Sequence, residues 1–278
     1  RGKPMNPIFH IAHKELKDGF RNRWILAITL IFALLSVGIS WFGAAGAGVI
    51  GFTSLPNTIV SLASLAVFLI PLIALFLAYD AIVGEDEDGT LLLLLTYPLS
   101  KGQLLLGKLL GHGAMMGLST LLGFGASAIT IMIFADGINA VEVIRAFGGF
   151  VLSATLLGLV FLAFAYVISA WVSEKSKAAG GALLFWFTFV LIFDLALLGT
   201  LVATEGRFHP EVFPFLLLLN PTDVFRLINL VGFEGSGQGV LAMAQDLSFG
   251  HGVLYSALIA WLLLPMGIAY GLFLKRPL

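Results

Sequence analysis

The chain has 278 residues, 59% hydrophobic and only 11% charged, with a mean hydropathy of +1.02. A soluble domain carries about a quarter charged residues, so this composition belongs to an integral membrane protein. Its net charge of −1 is too small to argue a nucleic-acid partner, and with no cysteine it has no disulfide framework, zinc knuckle or thiolate site.

Residues 6 to 23, NPIFHIAHKELKDGFRNR, place Ile8, Ile11, Ala12, Glu15 and Leu16 near one stripe and Lys14, Lys17, Asp18 and Arg21 largely elsewhere. This is the pattern of a short amphipathic helix lying on the inner membrane surface. A plain basic flank that orients the first span reads the same way. The first 23 residues lack the short apolar core and small-residue cleavage site of a signal peptide.

Apolar runs of about 20 residues, the length that crosses a ~30 Å hydrocarbon layer, occupy roughly 24–43, 57–79, 109–135, 144–170, 179–203 and 251–274. A lone segment in lipid must satisfy its own backbone, so each is expected to be helical. The predicted class is therefore an all-α membrane protein of six spans. With both termini in the cytoplasm, the inner segments hold 12 of the 15 lysines and arginines and leave only Arg145, Arg207 and Arg226 outside. Basic residues are retained on the cytoplasmic side. The expected organisation is a tail and surface helix over 1–23, a membrane domain over 24–274 and an inner tail over 275–278. Within the membrane domain, 80–108 lies inside and 204–250 outside.

Between the second and third spans stands GEDEDGTLLLLLTYPLSKGQLLLGKLL, residues 84 to 110. Glu85, Asp86, Glu87 and Asp88 do not enter lipid readily, and the run from Thr90 to Leu99 is too short to cross it. The segment must lie on the cytoplasmic face, where an exposed Leu91–Leu95 run requires cover by a partner or by the interface. A short helix begun by the acids and stopped near Pro98 would form a compact knob.

Two apparent nucleotide motifs fail on context. Gly102 to Lys108 matches G-x-x-x-x-G-K, but it lacks the following Ser or Thr, follows no strand and fills its loop with leucines. Gly46-Ala-Gly48-Val-Ile-Gly51 sits at a membrane exit with no strand before it. Glycines four apart, at Gly107/Gly111, Gly113/Gly117 and Gly267/Gly271, are read as close helix contacts.

Within the spans, His112, Met115 and Met116 cluster at the inner end of the third, a conceivable transient copper contact or ordinary adaptable packing. Asp194 stands alone about 15 residues into the fifth span, ~23 Å along the helix. It is either a pathway group or a carboxyl hydrogen-bonded to a neighbouring helix. In the outer segment, Glu211–Leu219 is too short to span and is read as a re-entrant or interfacial turn. Asn220-Pro221-Thr222-Asp223 resembles a helix start before VFRLINLV, which is read as a helix on the outer surface. Asn220, Asp223, Arg226 and Phe233 would then offer a docking face to a periplasmic protein.

An amphipathic start, six spans, and an inner segment of the form E-x-E-x-G-T-L-x-x-L-L-x-x-P-L-S-K-x-x-L-L-x-G-K resemble the permease subunits of ABC-2-type transporters. The matching residues include Glu85, Glu87, Gly89, Thr90, Leu91, Leu94, Leu95, Pro98, Leu99, Ser100, Lys101, Leu104, Leu105, Gly107 and Lys108. The stretch from Phe52 to Lys108, with LNPTDVFRLINL, resembles members of that family serving nitrous oxide reductase maturation. The resemblance implies a permease homodimer in the bacterial inner membrane, paired with two copies of a separate cytoplasmic ATPase and with a periplasmic accessory protein. ATP and magnesium would be held by the ATPase, with no cofactor on this chain. Glu85, Asp86, Glu87, Gly89, Thr90, Pro98, Ser100 and Lys101 would belong to the element that docks on that ATPase. Copper or a sulfur species would be the cargo. Two rival classes are an ion-coupled carrier, which would need intramembrane ionisable pairs and broken helices in matching halves, and a membrane scaffold that relays conformational change without moving solute.

Overall fold

The computed structural model describes residues 7–43, 51–52, 54–135, 137–204, 213–230 and 249–276. The Gly46–Gly51 pattern, Phe233, Arg207 and most of the outer segment therefore fall wholly or largely outside the described residues. Six helices are long and apolar enough to cross a membrane. They are α2 (Trp24–Phe42), α3 (Leu55–Ala78), α6 (Lys101–Phe134), α7 (Ala140–Trp171), α12 (His251–Lys275), and a composite of α8 (Lys175–Phe187), a π-helical turn (Thr188–Ile192) and α9 (Phe193–Ala203). Shorter elements are α1 (Pro7–Arg21), α4 (Val83–Glu87), α5 (Thr90–Leu95), α10 (Phe213–Leu217) and α11 (Pro221–Leu230).

The helix α7 is the axis of the bundle. It packs against α3, α6 and α12, while α2 and α1 lie along the far side of α6. The centre is aromatic: Phe150 lies between Phe124 and Phe225, and Phe161, Phe164, Phe185, Phe189 and Trp261 tie the fifth span to α7 and α12. Such ring pairs add about 0.5–1.5 kcal/mol each beyond their area.

The surface helix α1 buries Ile11, Glu15 and Gly19 against α6. Gly107 and Gly111 make that approach close, because a Cβ there would stand 2.6 Å from Ile11 Cβ and 2.5 Å from Glu15 Cβ. The chain then enters α2 through Arg23, a non-glycine residue held at φ 59°, a conformation that costs roughly 1–2 kcal/mol. Of the other glycine pairs, Gly113 meets Leu159 and Gly117 meets Thr155, whereas Gly267 and Gly271 have nothing within 4 Å. Their reading as helix contacts thus holds for α6 and not within this chain for α12.

We expect Gly111→Leu to lift α1, since overpacking a close contact costs about 1–3 kcal/mol. A cysteine replacing Ile11 should be protected from a membrane-impermeant maleimide in the parent chain. It should react at least several-fold faster in the Gly111→Leu background; equal rates would contradict the contact.

The outer elements differ from expectation in one respect. The helix start at Asn220-Pro221 is found where the sequence placed it: the Asn220 side-chain oxygen accepts from the Thr222 backbone N–H at 3.1 Å. The helix that follows does not lie on a surface. Val224, Phe225, Leu227, Ile228 and Asn229 are all buried, and α11 is packed among α3, α7 and α12. Several of its polar groups find partners inside the protein, with Asn229 Nδ2 donating to Ser153 Oγ at 3.0 Å. Such partners lower the cost of taking a polar group out of water.

Candidate functional site

The acids of residues 85 to 88 are not a free charged knob. Between them they reach α6, the start of α8 and the residue that follows α12, and together they clamp one end of the bundle. Glu85 Oε1 accepts from Lys108 Nζ of α6 at 2.8 Å and lies 3.6 Å from Lys14 of α1. Asp86 Oδ2 takes Arg276 Nε and Nη2 at 3.0 and 2.7 Å. Arg276 Nη1 also donates to the carbonyls of Ser169, Ala170 and Val172, the last turn of α7. Glu87 accepts the backbone N–H of Lys175 at 2.8 Å at the start of α8, where a carboxylate also complements the helix dipole. Asp88 holds the Lys175 ammonium at 3.0 Å. Beneath them, Ser169 Oγ accepts the Ile82 and Val83 backbone N–H groups at 2.9 and 3.0 Å.

At the centre is Lys108, whose side chain is only 3% exposed. It bridges Glu85 and Glu15, the latter at 2.9 Å. His112 Nε2 lies 3.5 Å from Glu15, and its Nδ1 is 2.8 Å from the Tyr166 hydroxyl. Burial by itself would raise the Glu15 carboxyl, but the His112 hydrogen bond and the charges of Lys108, His112 and Lys14 outweigh it and pull the group well below the ordinary carboxylate range. Glu15 is therefore ionised at neutral pH.

The leucine run stands on this clamp. Gly89, at φ 69°, turns the chain between α4 and α5, and the Thr90 hydroxyl donates to the Glu85 carbonyl at 3.1 Å. Leu91 is buried as an anchor, while Leu92, Leu93 and Tyr97 are 58%, 65% and 63% exposed. Pro98 follows at the turn. Ser100 then starts α6 with a capping box: its hydroxyl accepts the Gln103 N–H at 3.2 Å, and its own N–H donates to the Gln103 side chain at 2.9 Å. Lys101 caps the far end of α12, donating to the carbonyls of Phe273 and Arg276 at 2.9 and 3.2 Å. The exposed apolar edge is thus held rigid from both sides.

The Gly102–Lys108 stretch is continuous helix, with Gly107 against α1 and the Lys108 charge taken by two carboxylates. It cradles no phosphate. Met115 abuts Gly19 and Met116 packs against Gly158, both methionines buried. Together with His112 in the clamp, they make packing and network contacts.

At the opposite end, the lone Asp194 has a partner. Arg226 Nη1 donates to Asp194 Oδ2 at 2.5 Å and to Asp223 Oδ1 at 3.0 Å. Beside them the π-helical turn interrupts the helical ladder, and the Phe189 carbonyl there accepts from Asn220 Nδ2 at 2.8 Å and Thr222 Oγ1 at 3.3 Å. Asn220 and Asp223 are buried. They hold α11 to the fifth span and are not an exposed docking face.

The description "ABC-2 family transporter protein" belongs to the family model that matches residues 9–278. The chain belongs to the ABC-2 transporter family. This permease is also 60% identical over 274 residues to the ABC transporter permease protein NosY of Stutzerimonas stutzeri, covering 98% of this chain and 99% of that protein. It is 58% identical over 275 residues to the NosY permease of Pseudomonas aeruginosa strain PAO1, covering 99% and 100%. The family assignment places the permease class on the whole bundle, clamp and leucine knob included.

Sequence reasoning named Glu85, Glu87 and Lys101 but missed what they hold. Glu15 on the otherwise apolar stripe of α1 was the available signal, since an acid there must meet a buried cation. Arg276 and Ser169 carried no such signal.

Proposed function

We propose that this chain is the membrane subunit of an ATP-driven ABC transporter of the bacterial inner membrane, working as a homodimer with both termini in the cytoplasm. Two copies of a cytoplasmic ATPase supply the hydrolysis and hold the ATP and magnesium. The observation that carries this reading is the exposed edge of Leu92, Leu93 and Tyr97 on a clamp that joins α1, α6, α7, α8 and α12. A push on that edge is transmitted to five helices at once. In this role Glu85, Asp86, Glu87 and Lys101 act by positioning the knob, and the leucines, Tyr97 and Pro98 make the contact.

The similarity to NosY permeases supports a role in copper-site assembly of nitrous oxide reductase, with a periplasmic accessory protein receiving the output. Of the two cargoes, a sulfur species fits better than copper, because His112, Met115 and Met116 are engaged in packing and hydrogen bonds. The test is the permease reconstituted with its ATPase in vesicles. ATP-dependent movement of a sulfur species is expected. ATP hydrolysis with neither sulfur nor copper moved would favour a relay that drives the periplasmic partner.

A further inference from the structure

Asp194, Arg226 and Asp223 bring two carboxylates and one guanidinium together about 28 Å, by the helical rise, from Lys175 at the clamp. Arg226 donates to one oxygen of each acid. The other Asp223 oxygen, Oδ2, is buried and accepts no hydrogen bond among the described residues, and Asp223 as a whole is 1% exposed. Because the same Arg226 nitrogen serves an oxygen of each acid, at 2.5 and 3.0 Å, the two carboxylates are neighbours. Two ionised carboxylates have no hydrogen to share, and like charges in contact do not both ionise at modest cost. The cluster as ionised groups would carry one net negative charge in a helix bundle, where an uncompensated buried charge costs several kcal/mol.

We propose that the Asp194–Asp223 pair binds one proton, which supplies the missing donor and makes the unit with Arg226 electrically neutral. The site joins the fifth span to α11 at the π-helical turn. Loading it holds α11 in place. Loss of the proton leaves two repelling carboxylates at the same contact. Asp194, with a side chain 31% exposed, is the member through which a proton reaches the pair.

Among the described residues, the other titratable groups around α11 face its far end. Glu142 and Arg145 of α7, and His251 and Tyr255 of α12, line a cavity of about 470 Å³ beside Ile228 and Asn229. These positions are at least five residues along α11 from Asp223, and α3 presents no charged group there. The proton site does not depend on the transport reading, because it is a property of the chain itself.

The test is infrared spectroscopy of the full purified chain at neutral pH, where ordinary aspartates and glutamates are ionised. The expected result is a neutral carboxylic-acid C=O stretch that shifts in heavy water and disappears as the pH is raised. Asp223→Asn and Asp194→Asn should each abolish it, and His251→Gln should leave it unchanged. A hydrophobic carbodiimide, which modifies protonated carboxyls, should label Asp194 or Asp223 at neutral pH, and this readout needs no variant to fold. The proposal is overturned if the parent chain shows no such stretch, if both variants retain it, or if neither aspartate is labelled.

Discussion

Lys108→Met should be the most damaging single change at the clamp. It removes the one buried cation between Glu15 and Glu85, and stranding a buried partner charge costs about 3–5 kcal/mol. That is roughly a hundredfold to a thousandfold or more in the folded equilibrium. The expected observation is early loss of monodisperse protein on heating in detergent, with α1 detached from α6. A triple variant, Glu15→Gln with Lys108→Met and Glu85→Gln, removes all three charges together and should recover most of the stability. If Lys108→Met melted like the parent chain, the network would hold nothing.

The second large effect is expected at the leucine edge. Leu92→Glu with Leu93→Glu should leave the bundle and its thermal stability unchanged, because both side chains are exposed in the single chain. Docking of the ATPase should collapse. Burying a leucine contributes about 1.5–3 kcal/mol, so losing two predicts a fall in affinity on the order of a hundredfold or more. Glu85→Lys provides the contrast, since it acts through the clamp and should lower stability and docking together. Normal docking by the double leucine variant would move the interface elsewhere.

These two variants also separate what the sequence made legible from what it hid. The spans were legible because hydropathy and length alone determine them, and so were the α1 stripe and the Asn220-Pro221 helix start. Each depends on neighbours within a few residues. The start of α6 at Lys101, eight residues before the expected third span, was not legible. The clamp was hidden because its pairs join distant positions. Glu15 and Lys108 are 93 apart, and Asp86 and Arg276 are 190 apart. The basic-residue rule counts Lys108 and Arg276 alike whether they are solvated or buried. Four acids in a row read as one solvated patch, whereas the short α4 turn points them to three places, Lys108 of α6, Arg276 beyond α12 and Lys175 of α8. The outer helix was misplaced for a related reason. An amphipathic pattern shows that one face needs cover but does not say whether its polar face meets water or, like Arg226 and Asn229, other side chains.

The central claim is that Leu92, Leu93 and Tyr97 meet a separate ATPase on the cytoplasmic face. The most direct measurement places a photo-crosslinking amino acid at Leu93 in membranes that contain the permease and its ATPase, with Leu198, an exposed leucine of the fifth span, as the control position. The account predicts an adduct with the ATPase from Leu93 and none from Leu198. Crosslinks from Leu93 to lipid alone, or to a protein on the outer side of the membrane, would contradict it.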